Sequence, residues 1–192
     1  MKESQVCTEL VRSLNDVPNT FCYKIPDVGR RSTHRFIPAR VYDLIVCHES
    51  KMVAIEIKHI KGPLSVNKSR ITEFEDRSLM AVENAGGASF LLLCYWFYPT
   101  ERQREKWDLP RKVKRIYYQR YYKLKKLFDK YGRIPYSLIR RFPHVDYDRG
   151  WAAPYLDQLY DSNQEWTPFK IRIKNGKSDS GISVGTEETE SL

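Results

Sequence analysis

The stretch Met52-Val-Ala-Ile-Glu-Ile-Lys58 constrains the fold more than any other part of the chain. Its β-branched residues favour a strand, in which alternate side chains point to opposite faces of a sheet. The apolar side chains of Val53, Ile55 and Ile57 then point into a core, and Glu56 and Lys58 share the other face. The sequence therefore predicts a carboxylate and an ammonium held side by side on a rigid support.

An acidic residue, Asp43, interrupts the preceding apolar segment, residues 41–47. A polar turn at residues 48–50 separates the two segments, so we expect a hairpin that brings Asp43 towards Glu56. A carboxylate in a buried strand is costly unless something neutralises it, and a divalent cation between the two acids does so. Mg²⁺ suits two carboxylates and a backbone carbonyl because it prefers oxygen ligands and keeps several waters, and Mn²⁺ is expected to substitute for it.

The chemistry expected of such a centre is phosphodiester hydrolysis. A bound Mg²⁺ polarises the phosphate and lowers the pKa of a bound water. Lys58 is expected to orient or help to deprotonate that water and to stabilise the developing negative charge. Glu9, on the first helix, is a candidate outer ligand or water-holding group. The alternative interpretations are an exposed edge-strand face for Glu56 and Lys58, and a solvated helix glutamate for Glu9.

The apolar spacing along the chain predicts a mixed α/β core flanked by helices. Thr72 and Glu75 have the spacing of a capping box at the start of the second helix. The elements expected are a helix over residues 3–15, strands over 21–25, 41–47 and 52–58, a helix over 72–84 and a strand over 89–96.

The positive charge is concentrated in one segment. The chain carries a net charge of +9, and residues 101–141 contain 15 Lys and Arg against 4 Asp and Glu, a net of +11. Residues 111–131 combine an apolar stripe with basic residues, which predicts one long basic helix added to the core. This concentration of charge favours a polyanion partner such as branched or duplex DNA.

Candidate DNA-binding side chains lie in the loop before Asp43, just after Lys58, and in the basic helix. They are Arg30, Arg31, Arg35, Lys61, Lys68, Arg115, Lys123, Lys125 and Lys126, with Tyr118 as a ring that could stack on an unpaired base. The alternative for the basic helix is a solvated amphipathic helix whose long side chains snorkel.

Other features limit the class of protein. No apolar run approaches the roughly 20 residues that span a bilayer, and no apolar segment typical of a secretion signal follows the N-terminus. We therefore expect no membrane association and a cytoplasmic location, either nucleoid-associated or in a phage- or virus-encoded system.

Four widely spaced cysteines are expected to be buried thiols. Residues 1–174 are expected to form a single domain, with its core at about 3–98 and a basic helical region at about 101–160, before an acidic disordered tail over 175–192.

The pattern of Asp43 and Glu56-Ile-Lys58 behind a helix with Glu9 resembles the PD-(D/E)xK nuclease superfamily. Its surroundings are similar to the RecU family of Holliday-junction resolvases. The segments that carry this likeness are Tyr23-Lys-Ile-Pro-Asp27, Val41-Tyr42-Asp43, Ala54-Ile-Glu56-Ile-Lys58, Phe74-Glu75, Ala85-Gly-Gly-Ala-Ser-Phe90, residues 134–139 and Ala153-Pro-Tyr-Leu156.

The resemblance covers residues 3–160 and implies a restriction-endonuclease-like fold and a homodimer that nicks opposing strands of a four-way junction using Mg²⁺. The chain departs from the family in having 16 residues between Pro26 and Asp43, where the family has a long stalk. It also has Glu75 in place of a glutamine, which makes Glu75 a candidate metal ligand or general base. Two alternatives stay open. One is a restriction-type endonuclease or exonuclease of the superfamily, and the other is a non-catalytic nucleic-acid-binding protein.

Overall fold

In a computed structural model, residues 3–26 and 41–146 are described. They form eight strands and five α-helices, with one short 3-10 turn at Lys68–Arg70. The elements are α1 (Glu3–Asn15), β1 (Thr20–Lys24), β2 (Leu44–His48), β3 (Lys51–Lys61), β4 (Val66–Asn67), α2 (Glu73–Asn84), β5 (Ala88–Phe97), α3 (Glu101–Trp107), β6 (Val113–Arg120), α4 (Tyr121–Tyr131), β7 (Arg133–Ile134), α5 (Tyr136–Ile139) and β8 (His144–Asp146).

A six-stranded mixed sheet organises these elements, in the order β1-β2-β3-β5-β6-β8. Only the central pair, β3 and β5, is parallel, and each other neighbouring pair is antiparallel. Parallel neighbours need a crossover connection, and the segment that contains α2 supplies it. The short strands β4 and β7 pair separately. A mixed α/β sheet flanked by helices is therefore confirmed as the fold class.

The two faces of the sheet differ in what covers them. The first helix packs on one face, where Val6 and Leu10 belong to the same buried cluster as Val53, Ile55 and Ile57. Strand alternation turns the intervening residues of β3 to the opposite face. That face is covered by α2, which packs on β3 and β5, and by α4, which packs on β5. The carboxylate and ammonium expected on the non-core side of β3 therefore lie beneath α2, where Glu56 is buried and Lys58 is largely buried.

Residues 111–131 differ most from expectation, because they do not form one basic helix. Residues 113–120 are β6, and the helix α4 begins only at Tyr121. The β-branched and aromatic residues of this first half favour a strand, and all eight residues of β6 pair with β5. Burial on both faces produced the apolar spacing that resembles a helical stripe. The short helix α3 was not expected either.

A buried ion-pair network joins α2, β5 and β6. The Glu83 carboxylate accepts hydrogen bonds from the Ser89 backbone N–H at 2.8 Å, from the Ser89 hydroxyl at 2.9 Å and from Arg120 Nε at 3.1 Å. A second hydrogen bond from Arg120 reaches the other carboxylate oxygen. Because these groups are largely buried, their hydrogen bonds to one another fix the C-terminal end of α2 against the sheet.

The cysteines are free thiols, and three of them are buried as expected, whereas Cys47 is exposed. Within the described ranges, no helix has both the length and the apolar character needed to cross a membrane. The acidic segment over 175–192 and the end of the basic region after residue 146 lie outside the described residues, as does Ala153-Pro-Tyr-Leu156.

Candidate active site

The hairpin of β2 and β3 brings Asp43 to Glu56. The register pairs Leu44 with Ile55, and Asp43 directly precedes Leu44, so its carboxylate lies close enough to Glu56 to act on the charge of that residue. Asp43 itself immediately precedes β2, and its backbone N–H donates to the carbonyl of Ile55 at 3.0 Å. Its Oδ2 accepts a hydrogen bond from the Ile57 N–H at 2.7 Å. The two carboxyl groups are 0% and 2% exposed, so they share a buried position on one face of the sheet.

Lys58 links this pair to α2. Its Nζ lies 2.7 Å from Glu56 Oε1 and 2.9 Å from Glu75 Oε1. Glu75 is fixed in turn by the expected capping box, which is confirmed. Its Oε2 accepts from the Thr72 N–H at 2.8 Å, and its own N–H donates to Thr72 Oγ1 at 3.2 Å. The first turn of α2 therefore holds Glu75 where it can position the lysine.

The charges of the site depend on each other. Burial, and next the charge of Asp43, raise the pKa of Glu56 to about 8 even though Lys58 acts in the opposite direction. Burial works against the charged form of Lys58, but the carboxylates of Glu56 and Glu75 outweigh it and raise the pKa of that lysine. Burial also opposes the charge of Glu75, but hydrogen bonds from the Thr72 N–H and Lys58 lower its pKa. With all three carboxyl groups ionised, the site carries two more negative charges than Lys58 neutralises.

This excess of two charges fits a divalent cation. Asp43 and Glu56 present oxygen ligands from neighbouring strands, and Mg²⁺ commonly takes one or two carboxylates and completes its shell with water and carbonyl oxygens. In the described part of the chain, no group of three or more His, Cys, Asp or Glu residues is arranged to hold a metal. Two carboxylates are oxygen donors, the ligand type that Mg²⁺ and Mn²⁺ take, and the binding of either ion stays a prediction.

The structure places Glu75 and Glu9 differently from Asp43 and Glu56. Both oxygens of Glu75 accept hydrogen bonds, from Lys58 and from Thr72, so Glu75 is a partner of the lysine, and a metal-binding role for it stays a prediction. Glu9 lies on α1, which packs against the opposite face of β3. Its Oε2 is buried with no hydrogen-bond partner among the described residues. A role for Glu9 in the site stays a prediction.

Tyr118 was expected to stack on an unpaired base, and the structure contradicts this. It lies on β6 and not on a helix, and its side chain is 4% exposed within the main apolar cluster. A ring in that position has no free face for a base.

Three of the expected phosphate-binding residues are engaged within the protein. Lys68 Nζ contacts Asp129 at 2.6 Å, and Lys125 Nζ contacts Asp76 at 2.7 Å. Arg115 forms a two-point ion pair with Asp146 across β6 and β8. Each would have to leave a carboxylate to reach a phosphate, so none is a ready DNA contact.

The remaining basic candidates are on α4 and at the end of β3. Lys123 and Lys126 flank the ring of Tyr122, with their Nζ atoms 5.9 and 5.7 Å from its centroid. Lys61 ends β3 and is exposed. The candidates in the loop before Asp43, which are Arg30, Arg31 and Arg35, lie outside the described residues.

Comparison with known proteins gives a limited likeness. No protein-family model and no curated protein matches the chain. Among solved structures, it is similar to Hjc from Archaeoglobus fulgidus, described as a Holliday junction resolvase from an archaeal hyperthermophile. The match has a TM-score of 0.34 and 16% identity, and it covers 60% of this chain and 72% of that one. The narrower resemblance to the RecU family stays a prediction.

Proposed function

We propose that this chain is a metal-dependent DNA endonuclease whose centre is formed by Asp43, Glu56 and Lys58. The observation that carries the proposal is the pair of buried carboxylates, one directly before β2 and the other on β3, with an ammonium 2.7 Å from the second of them. Burying two acids together is costly, and it is explained if a divalent cation is their natural partner. Asp43 and Glu56 would hold Mg²⁺, and Mn²⁺ is expected to replace it.

Lys58 acts in this proposal as a fixed cation. Its pKa is raised by Glu56 and Glu75 despite burial, so it keeps its proton at neutral pH. Two of its three N–H donors face Glu56 and Glu75, so the third donates to the attacking water or to the phosphoryl oxygen that gains charge, and Lys58 does not serve as a base. Glu75 restrains the lysine so that little reorganisation is needed during the reaction. When bound, Mg²⁺ supplies the Lewis acidity that activates water and polarises the phosphate.

The finer proposal is that the substrate is a four-way junction, cut by paired nicks from a homodimer. It rests on the sequence likeness to resolvases on both sides of Asp43 and Glu56. The alternative is another PD-(D/E)xK nuclease, and it is favoured by the 16 residues between Pro26 and Asp43, which leave little room for a junction-entering stalk.

A cleavage assay separates these functions. Four-way junctions, linear duplexes and single strands are incubated with Mg²⁺ or with EDTA. Symmetric nicks confined to the junction support a resolvase, whereas digestion of linear DNA supports another nuclease of the superfamily. DNA binding with no cleavage of any substrate in Mg²⁺ or Mn²⁺ would leave only a nucleic-acid-binding protein.

The outward face of α4 is expected to contribute to DNA affinity through Lys123 and Lys126. Changing both to Gln should weaken binding and reduce the slope of log K against log salt by about two, because each phosphate contact contributes roughly one. Lys68→Gln is the matched control, since its ammonium is already bound by Asp129, and its salt slope should stay at the wild-type value. Binding measured across a salt series provides the test. An unchanged slope for the double variant would remove α4 from the interface.

A further inference from the structure

A row of aromatic and basic side chains crosses the sheet at the end of the parallel pair β3 and β5. Trp96 on β5 pairs with Lys61 on β3 and with Lys114 on β6. Side chains paired in this way stand next to each other on one face. This is the face of β5 that carries Cys94, so the row lies on the α1 side of the sheet, opposite to Lys58.

The rings in this row are flanked by ammonium groups. Lys114 Nζ lies 4.5 Å from the centroid of Trp96. Lys112 Nζ lies 5.3 Å from Trp96 and 5.2 Å from Tyr98, whose side chain is 71% exposed. In the described ranges, Lys61 and Lys112 take part in no ion pair, and both are exposed. We call this set, Lys61, Trp96, Tyr98, Lys112 and Lys114, the ring-and-lysine surface.

A groove adjoins this surface. It has a volume of about 1360 Å³ and is lined by Lys61, Arg70, Trp96 and Phe97, among others. Arg70 is exposed and donates to the His59 carbonyl at 3.2 Å, which keeps its guanidinium at the groove. The groove therefore continues the positive charge of the ring-and-lysine surface towards the loop after β3.

We infer that the ring-and-lysine surface binds a single-stranded segment of nucleic acid. Unpaired bases present ring faces that stack on aromatic side chains, and lysines neutralise the phosphates between them. A duplex hides its base faces, so it would engage the lysines but not the rings. Tyr98 directly follows β5 and lies two residues beyond Trp96, and Lys112 contacts both rings, so that each ring can receive its own base. An acidic peptide would bind the lysines, but it has no bases that stack on Trp96 and Tyr98.

This inference extends the proposed function by naming the substrate as DNA with an unpaired segment. Lys61 lies three residues beyond Lys58 on β3, about 10 Å along the strand and on the opposite face of the sheet, so a bound segment would have to pass around the end of β3 to reach the proposed active site. The binding itself does not need the nuclease centre, and it can be measured with that centre inactive.

The test is binding of a fluorescent oligothymidylate in EDTA, where no metal-dependent cleavage occurs. Tyr98→Ala and Trp96→Leu should each weaken binding about ten-fold, the loss expected for one stacked base. The matched control is Tyr23→Ala, an exposed tyrosine (50%) on β1 at the far end of the sheet, which should bind like wild type. Tyr98 is so exposed that its replacement leaves the core intact, so the test stands even where Trp96→Leu fails to fold.

An abasic oligonucleotide of equal length separates stacking from charge. Wild type should bind it about 100-fold more weakly than oligothymidylate, because both stacked bases are lost, and in Tyr98→Ala this difference should fall to about ten-fold, the contribution of Trp96. Equal binding of both strands by wild type, or full competition by polyglutamate, would overturn the inference. Binding that depends on Trp96 and Tyr98, without cleavage of any DNA, would overturn the proposed nuclease but support the single-strand-binding surface. Cleavage of DNA, with binding that does not depend on Trp96 and Tyr98, would support the nuclease but overturn the inference about this surface.

Discussion

Asp43→Asn and Glu56→Gln are each expected to reduce Mg²⁺-dependent DNA cleavage by about 1,000-fold or more. Either change removes one of the two negative charges that would hold the cation. Lewis-acid stabilisation of a transition state amounts to several kcal/mol, and each 1.4 kcal/mol is about ten-fold in rate. Single-turnover cleavage with saturating enzyme measures this loss free of binding effects.

The same two variants are expected to bind DNA in EDTA as well as wild type or better, because a carboxylate that faces phosphate is repulsive when no metal lies between them. The matched control is Asp129→Asn, which neutralises a half-exposed carboxylate outside the site, where it contacts Lys68. That control should cut at close to the wild-type rate. Wild-type cleavage by either site variant would show that Asp43 and Glu56 do not form the catalytic centre.

In the absence of divalent cations, the free energy of unfolding is expected to fall as pH rises from 6.5 to 8. Burial and the neighbouring Asp43 raise the pKa of Glu56 from 4.5 to about 8. In this pH range the folded state therefore binds a proton that the unfolded state has released. Stability contributed by a raised carboxyl pKa is present at low pH and lost as pH rises to the folded pKa. The expected slope is about 1.4 kcal/mol per pH unit.

Other shifted groups of the described chain titrate outside this range. The pKa of His59 is lowered from 6.5 by burial and by the nearby Lys61 and Arg70, and the pKa of Glu75 is lowered from 4.5. The pKa of Lys58 is raised from 10.5. Glu56→Gln should therefore flatten the profile. Urea denaturation in EDTA at several pH values measures it, and a wild-type slope that is level or rises with pH would contradict the account of Glu56.

The local signals of the sequence predicted the framework of the site. Strand alternation around Glu56 and Lys58 and the interruption at Asp43 were enough to predict the hairpin that brings the two acids together. The Thr72 and Glu75 spacing likewise predicted the capping box at the start of α2. These signals are local because each depends on the periodicity or the hydrogen bonding of neighbouring residues.

What the sequence did not predict depends on contacts between distant segments. Residues 113–120 have helical apolar spacing, but pairing with β5 and burial on both faces make them a strand and bury Tyr118. Glu75 becomes the partner of Lys58 only because α2 packs on that face of β3. The carboxylates that engage Lys125 and Arg115 are likewise far away along the chain, and no spacing rule connects them.

Asp43 and Glu56 are expected to hold one divalent cation jointly. Electron paramagnetic resonance of Mn²⁺ added to the folded protein without DNA measures this directly, because the signal of free Mn²⁺ is lost when the ion is bound. We expect one bound Mn²⁺ per chain that Mg²⁺ displaces in wild type and in Asp129→Asn, and a large loss of affinity in both Asp43→Asn and Glu56→Gln. Wild-type Mn²⁺ affinity in either of those two variants would contradict the claim.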